Sequence, residues 1–114
     1  LRFAIKQIGD RYVFGAAGPT LWDCSGLTMR AFQAAGVSLP HSAAAQSGYG
    51  KSIPFNKLQP GDLVFFGKHH YISHVGIYIG SGRMVNAPRP GARVKVEGFS
   101  GSFGSLAFYG ARRI

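Results

Sequence analysis

Acidic residues are scarce in this chain: Asp10, Asp23, Asp62 and Glu97 are set against 13 lysines and arginines, for a formal charge of +9 over 114 residues. A surface so biased attracts polyanions such as nucleic acid, anionic lipid or a carboxylate-rich wall polymer. The cations are scattered, with one loose cluster towards the C-terminus (Arg83, Arg89, Arg93, Lys95, Arg112, Arg113). No basic helix or aromatic platform motif accompanies them, which argues against a nucleic-acid-binding domain. Cysteine occurs once, so no internal disulfide can form. No apolar run approaches the ~18 residues of a membrane span. No phosphate-binding loop is present. One cysteine without an HxxH-type helix is a poor metal-ligand set, and no metal is expected. The chain opens on Leu1 and carries no signal peptide, which leads us to expect a single domain, residues 1–114, excised from a longer chain.

What remains is globular. Hydrophobic residues make up 46% and aromatics 13%, and a chain of this size buries roughly 60–70% of its unfolded surface. Residues 1–9 read as a short helix ending at Gly9. "RYVFGAAGPT" reads as a brief extended piece and a Gly/Pro turn. Residues 24–35 form the clearest helix, with Asp23 as N-cap, an apolar stripe through Leu27 and Ala31, and Gly36 as stop. A shorter helix is expected over 42–47. From about residue 60 the pattern changes to strands: "LQPGDLVFF", the hairpin "SHVGIYIGSGRMVNAP", "ARVKVEGF" and "LAFYGARRI". Segments 48–60, 67–73 and 98–105 read as loops. Helices first and strands after predict an α+β domain with an antiparallel sheet.

The hairpin offers a geometric test. Val75, Ile77 and Ile79 alternate with His74, Gly76 and Tyr78, so the first set faces the core and His74 the opposite side. A three-residue loop of Gly80, Ser81 and Gly82 pairs Ile79 with Arg83 and sets Gly76 opposite Asn86. Asn86 then becomes a diagonal neighbour of His74, about 7–8 Å away between backbones. A two-residue loop would turn Asn86 to the wrong face. On this reading Gly76 leaves open space between the two side chains, and Asn86 lies on the hairpin's open face.

The single thiol, Cys24, falls at the first helical position, where free N–H groups and the helix dipole favour a thiolate. Asp23 opposes this unless its carboxylate caps those N–H groups or binds a cationic substrate group. A nucleophile needs a base within reach and a third group to orient that base. Cys24, His74 and Asn86 have those types, with a sulfur expected to be mostly ionised at neutral pH. His41, His69 and His70 compete as bases, though His69 and His70 sit in a polar loop without an orienting partner.

"DCSGLTMRAFQAAGVSLPHSAAAQ", "LQPGDLVFFG", "HVGIYIGSGRMVNAP" and the terminal "YGARRI" together resemble the NlpC/P60 family of cysteine peptidases, in order and spacing, over nearly the whole chain. The resemblance implies a papain-like fold with N-terminal helices packed on a central antiparallel sheet. It implies hydrolysis of peptidoglycan stem peptides, commonly between γ-D-glutamate and diaminopimelate, without a cofactor. It implies Cys24 as nucleophile, His74 as base and Asn86 as orienting residue, with Tyr12 lining the site and Asp23 and Ser25 helping to hold substrate. The Cys24 N–H, with Tyr12, is expected to serve an oxyanion. Two positions depart from the family pattern. The third residue is often His and here is the uncharged Asn86, and the usual "YxWGG" reads "YVFGA". The resemblance also implies a secreted or wall-associated bacterial protein whose positive surface meets anionic wall polymers, with a monomer as the default. A non-catalytic wall-binding module and an amidase or acyltransferase on the same scaffold remain alternatives.

Overall fold

The computed structural model describes residues 1–114, which form one α+β unit. Helix α1 (Arg2–Lys6) leads into the two-residue strands β1 (Arg11–Tyr12) and β2 (Leu21–Trp22), which pair in parallel. Helices α2 (Cys24–Ala34) and α3 (Ala43–Gln46) follow. The remainder supplies β3 (Lys51–Ile53), a 3-10 turn at Phe55–Lys57, β4 (Leu63–Lys68), β5 (Tyr71–Gly80), β6 (Arg83–Asn86), β7 (Lys95–Gly98), β8 (Ser102–Phe103) and β9 (Leu106–Arg113). These seven strands make an antiparallel sheet in the order β3-β9-β4-β5-β6-β7, with β8 appended to β9.

The expected helices are present but shorter at their ends. Helix 1–9 closes by Lys6, and 42–47 reduces to one turn capped by the Ser42 side chain, which accepts from the Ala45 N–H. Three expected loops are partly strand. Residues 51–53 and 102–103 pair with β9, and 67–73 is mostly β4 and β5, joined by a tight turn at His69 and His70. Residues 51–53 are extended by a partner far along the chain, which local composition does not encode, whereas 67–73 and 102–107 are tight local hairpins.

β4 is central and buried along "LVFFG", so both its faces meet apolar side chains. One face carries Leu63, Phe65, Val75, Ile77 and Val85 against Leu27 and Ala31 of α2. The other carries Val64, Phe66 and Met84, covered by Phe99, Phe103 and Phe108. Phe66 is ringed by those three phenylalanines at centroid separations of 5.3–5.7 Å. The sheet is therefore apolar on both sides, and the hairpin face that carries His74 is covered rather than open.

The hairpin register is the expected one, reached by a different turn. Ile77 lies opposite Val85 and Tyr78 opposite Met84, as a three-residue loop would give. The turn itself has two residues, Ser81 and Gly82, both with positive φ, closed by Gly80 opposite Arg83. A register shift between Tyr78 and Gly80 adds the residue that the shorter turn omits. Parity is restored, and Asn86 stays on the face of His74. The space at Gly76 is not empty: a Cβ there would sit 2.5 Å from Met84 Sδ and 3.3 Å from Asn86 Cβ.

Asp62 locks the start of β4 to the end of β9. Its carboxylate accepts from Arg113 Nε and Nη2 at 2.8 and 2.9 Å and from the Gln59 N–H at 2.9 Å. Burial would raise its pKa, but the Arg113 guanidinium and the Gln59 N–H outweigh this and hold it below the ordinary value. A depressed carboxylate contributes stability that is present above its unfolded value near 3.9 and is lost as pH falls through the folded value. Asp62→Asn should therefore destabilise the domain by about 1–3 kcal/mol at pH 7 in urea unfolding, the range for hydrogen bonds to charged groups. The gap from wild type should close as pH drops through the carboxylate range. A gap undiminished at low pH would assign the loss to packing instead.

Candidate active site

Asp23 builds the corner in which the thiol sits. As N-cap of α2 it accepts from the Gly26 N–H at 2.6 Å. Its second oxygen accepts from the Gly15 N–H at 2.9 Å, and His41 Nε2 donates to Oδ1 at 2.7 Å. The Asp23 N–H donates to the Ala16 carbonyl at 2.9 Å. That carbonyl presses so closely on Gly26 that a Cβ there would collide with it, so a glycine is required. Trp22 anchors the same loop by donating its Nε1–H to Asp10 at 2.9 Å. On the far side, Gln46 ties α3 to the helix start, donating to the carbonyls of Ser25 and Pro40 at 3.0 and 2.8 Å.

The oxygens of Asp23 cap backbone N–H groups and hold His41. Asp23 and Ser25 are both buried, Tyr12 is half-buried, and Phe14 two residues on is 87% exposed. His41 is thus engaged by Asp23, and His69 and His70 lie exposed at the tip of the β4–β5 hairpin. Of the four histidines, His74 alone is buried on the sheet with an amide partner.

The half-buried Cys24 thiol faces the backbone of β5, with Sγ 4.0 Å from the Ser73 carbonyl. It therefore rests on the strand segment that carries His74, although no hydrogen bond joins sulfur to imidazole. Burial raises the thiol pKa, and Asp23 raises it further; the N–H groups of Val75, Ser25 and Cys24 itself oppose this only in part. The result is about 11. The expectation of a sulfur mostly ionised at neutral pH is corrected here: desolvation exceeds the help of the helix N-terminus.

His74 is 3% exposed, stacked on Phe103 at 5.3 Å with an interplanar angle of 11°. Its Nε2–H donates to Asn86 Oδ1 at 2.8 Å, which leaves Nδ1 with the free lone pair. Burial pulls the imidazole pKa below its ordinary value and Arg89 adds to this, while the Asn86 bond and Glu97 act the other way. Asn86 is fully buried, not on an open face as the hairpin pattern suggested. Its Nδ2 donates to the Lys95 carbonyl and to Glu97 Oε2, both at 3.2 Å. Glu97 is the residue that sequence reasoning missed. Its signal was the alternation in "ARVKVEGF", which sets Lys95 and Glu97 on one face, but the register of β7 on β6 was needed to bring that face to Asn86. Beside His74 a cavity of about 350 Å³ opens, lined by Ser73, Arg89, Phe103 and Ser105 among others.

Comparisons with known proteins give the family and the fold. The model of the NlpC/P60 family matches residues 9–113. A protein of Listeria monocytogenes named probable endopeptidase p60 is 46% identical over 99 residues, which cover 87% of this chain and 20% of that protein. A probable endopeptidase of Mycobacterium tuberculosis strain H37Rv is 46% identical over 93 residues, 82% of this chain and 24% of its own. The chain thus spans about a fifth to a quarter of the length of these relatives. Among solved structures, the NlpC/p60 domain of peptidoglycan hydrolase SagA superposes with a TM-score of 0.86 at 32% identity, covering 99% of this chain and 94% of that one. NlpC1 from Trichomonas vaginalis gives 0.90 at 27% identity, with 98% of this chain and 41% of that one covered. The papain-like α+β architecture read from the sequence is thus the architecture of these domains.

A protonated resting thiol has a direct readout. Without substrate, the rate of Cys24 alkylation by iodoacetamide should climb steadily from pH 6 to beyond 9, with half-ionisation near the value of about 11. A rate that levels off by pH 8 would mean that the thiolate already exists in the free protein.

Proposed function

The chain belongs to the NlpC/P60 family, and we propose that it is a thiol endopeptidase of peptidoglycan, cutting stem-peptide amides with Cys24 as nucleophile, His74 as base and Asn86 as the residue that orients the base. The observation that carries this reading is the seat of the only thiol. It lies at the start of α2, against the backbone of β5 at Ser73, the residue before His74, whose imidazole is held at Nε2 by Asn86. The printed names of the relatives, endopeptidase and peptidoglycan hydrolase, lend the substrate class.

The resting pair is neutral thiol and neutral imidazole, which fixes the order of proton movements. As sulfur attacks the amide carbonyl, the thiol proton passes to His74 Nδ1. The carbonyl electrons move onto oxygen, where the Cys24 N–H and the Tyr12 hydroxyl stand as donors. Burial, with the nearby Cys24 and Asp23, raises the Tyr12 pKa and keeps that phenol protonated. Collapse breaks the C–N bond, and the imidazolium gives its proton to the leaving amine. Water, deprotonated by His74, then attacks the thioester and releases the acid and the thiol. Asp23 and Ser25 act from beneath, fixing the loop and helix start against which substrate lies. The scissile bond is that between γ-D-glutamate and diaminopimelate. The protein acts outside the bacterial cell as a monomer, with its +9 charge drawing it to anionic wall polymers and Arg89 presenting a cation to substrate carboxylates.

Purified peptidoglycan fragments incubated with the protein should release stem-peptide pieces whose masses identify the cut bond. Cys24→Ala should reduce this by at least about a thousandfold, as loss of a nucleophile does elsewhere. Equal release by both proteins would remove Cys24 from the reaction. Binding without cleavage would favour a wall-binding module, and turnover only with other amides or acyl acceptors would favour an amidase or acyltransferase. A companion expectation concerns pH. Because His74 stays neutral below its ordinary value near 6.5, the acid limb of kcat/KM should fall at a lower pH than that. An acid limb above pH 7 would contradict a base depressed by burial.

A further inference from the structure

Each of the four carboxylates in this chain holds a specific N–H group. Asp10 takes Trp22 Nε1, Asp23 takes the helix cap and His41, and Asp62 takes Arg113 and Gln59. The fourth, Glu97, turns Oε2 inward to Asn86 Nδ2 at 3.2 Å and Oε1 outward to Lys95 Nζ at 3.6 Å. The outward contact is a surface ion pair, with Lys95 at 45% exposure, and such pairs contribute little. The inward contact reaches the reacting groups. We propose that Glu97 is a positioning residue for the cysteine chemistry: it fixes the Asn86 amide, and so the ring state of His74, and it supplies the negative charge that an asparagine lacks. This rests on the assignment of His74 as base.

Glu97 acts in two ways. The first is orientation. The two N–H bonds of the Asn86 amide meet two acceptors, the Lys95 carbonyl and Glu97 Oε2. Neither acceptor has a proton to give, so a flipped amide would set its oxygen against two oxygens. The amide oxygen is therefore turned to His74, which must carry its proton on Nε2 and leave Nδ1 free. The second is charge. The charged groups acting on His74 are Glu97 on β7, with Lys95 paired to it, and Arg89 in the loop after β6; the Cys24 thiol lies against the Ser73 carbonyl of the same strand. From β4 and β8 the ring meets Phe66 and Phe103, neither of which carries charge. Glu97 is thus the one anion that favours the imidazolium formed in mid-reaction, against burial and Arg89.

The test reads the ring directly, so it stands whether or not the protein cuts peptidoglycan. Nitrogen-15 NMR of the imidazole should find His74 in the Nε2–H form in the wild-type chain. In Glu97→Gln, which keeps an acceptor but removes the charge, the His74 titration should move to lower pH. In Lys95→Met, which frees Glu97 from its counter-cation, it should move to higher pH. On peptidoglycan fragments, Glu97→Gln should lower kcat about tenfold with little change in KM, a fraction of the 10²–10⁴ of general acid–base catalysis. Titrations that coincide in all three proteins, or that move in the same direction in both variants, would overturn the proposal. Opposite shifts in a protein that cleaves nothing would leave the relay standing and count against the peptidase reading alone.

Discussion

At the carboxylate of Asp23 three segments of the chain meet. The start of α2 hangs on it through Gly26, the loop after β1 through Gly15, and the segment before α3 through His41. Without it, two backbone N–H groups and an imidazole would lose their acceptor in a corner where little water enters. The thiol occupies the next residue, so the same contact that aims Cys24 at β5 also sets a negative charge beside it. The cap gives the nucleophile its position and opposes its ionisation at once.

That conflict shapes the chemistry. With the thiol raised to about 11 and the imidazole lowered, proton exchange between them in the free protein favours the uncharged pair. In the mechanism proposed above, charge separation waits until a carbonyl is present to take the sulfur's electrons. Burial of His74 under Phe103 and Phe66 fits that proposal, because an imidazole held below its ordinary value is unprotonated at neutral pH, the state a base for the thiol would need. A resting thiol that is not ionised is also less exposed to oxidation, which suits a lone cysteine.

Much of this was legible in the residues. Asp23 before an apolar helix announced the cap, and the alternation in "HVGIYIG" put His74 and Asn86 on one face. The turn was misread without consequence, because a two-residue turn with a bulge at Ile79 has the parity of the three-residue loop. Other features depended on distant partners. β3 is a strand only because the far-off β9 lies beside it, and the second apolar layer requires Phe99, Phe103 and Phe108 to fold back over Phe66. Glu97 fell in this class. Residues 87–94 join β6 to β7 without fixing a register, so the residue diagonal to Asn86 could not be counted off as Asn86 had been from His74.

The same geometry accounts for an amide, rather than a charged residue, at position 86. That side chain has no exposure at all, and an ion there would lose its hydration beneath Met84 and the phenylalanine layer. An asparagine avoids that penalty if its hydrogen bonds are all made, and they are: one to His74, one to the Lys95 carbonyl and one to Glu97. The charge is moved one diagonal outward to the edge strand, where Glu97 keeps 19% side-chain exposure and a lysine beside it. Water reaches it there, and the Asn86 amide lies between it and the ring. The interior beside the thiol thus stays neutral at rest, with the charge that matters held at the rim of the sheet.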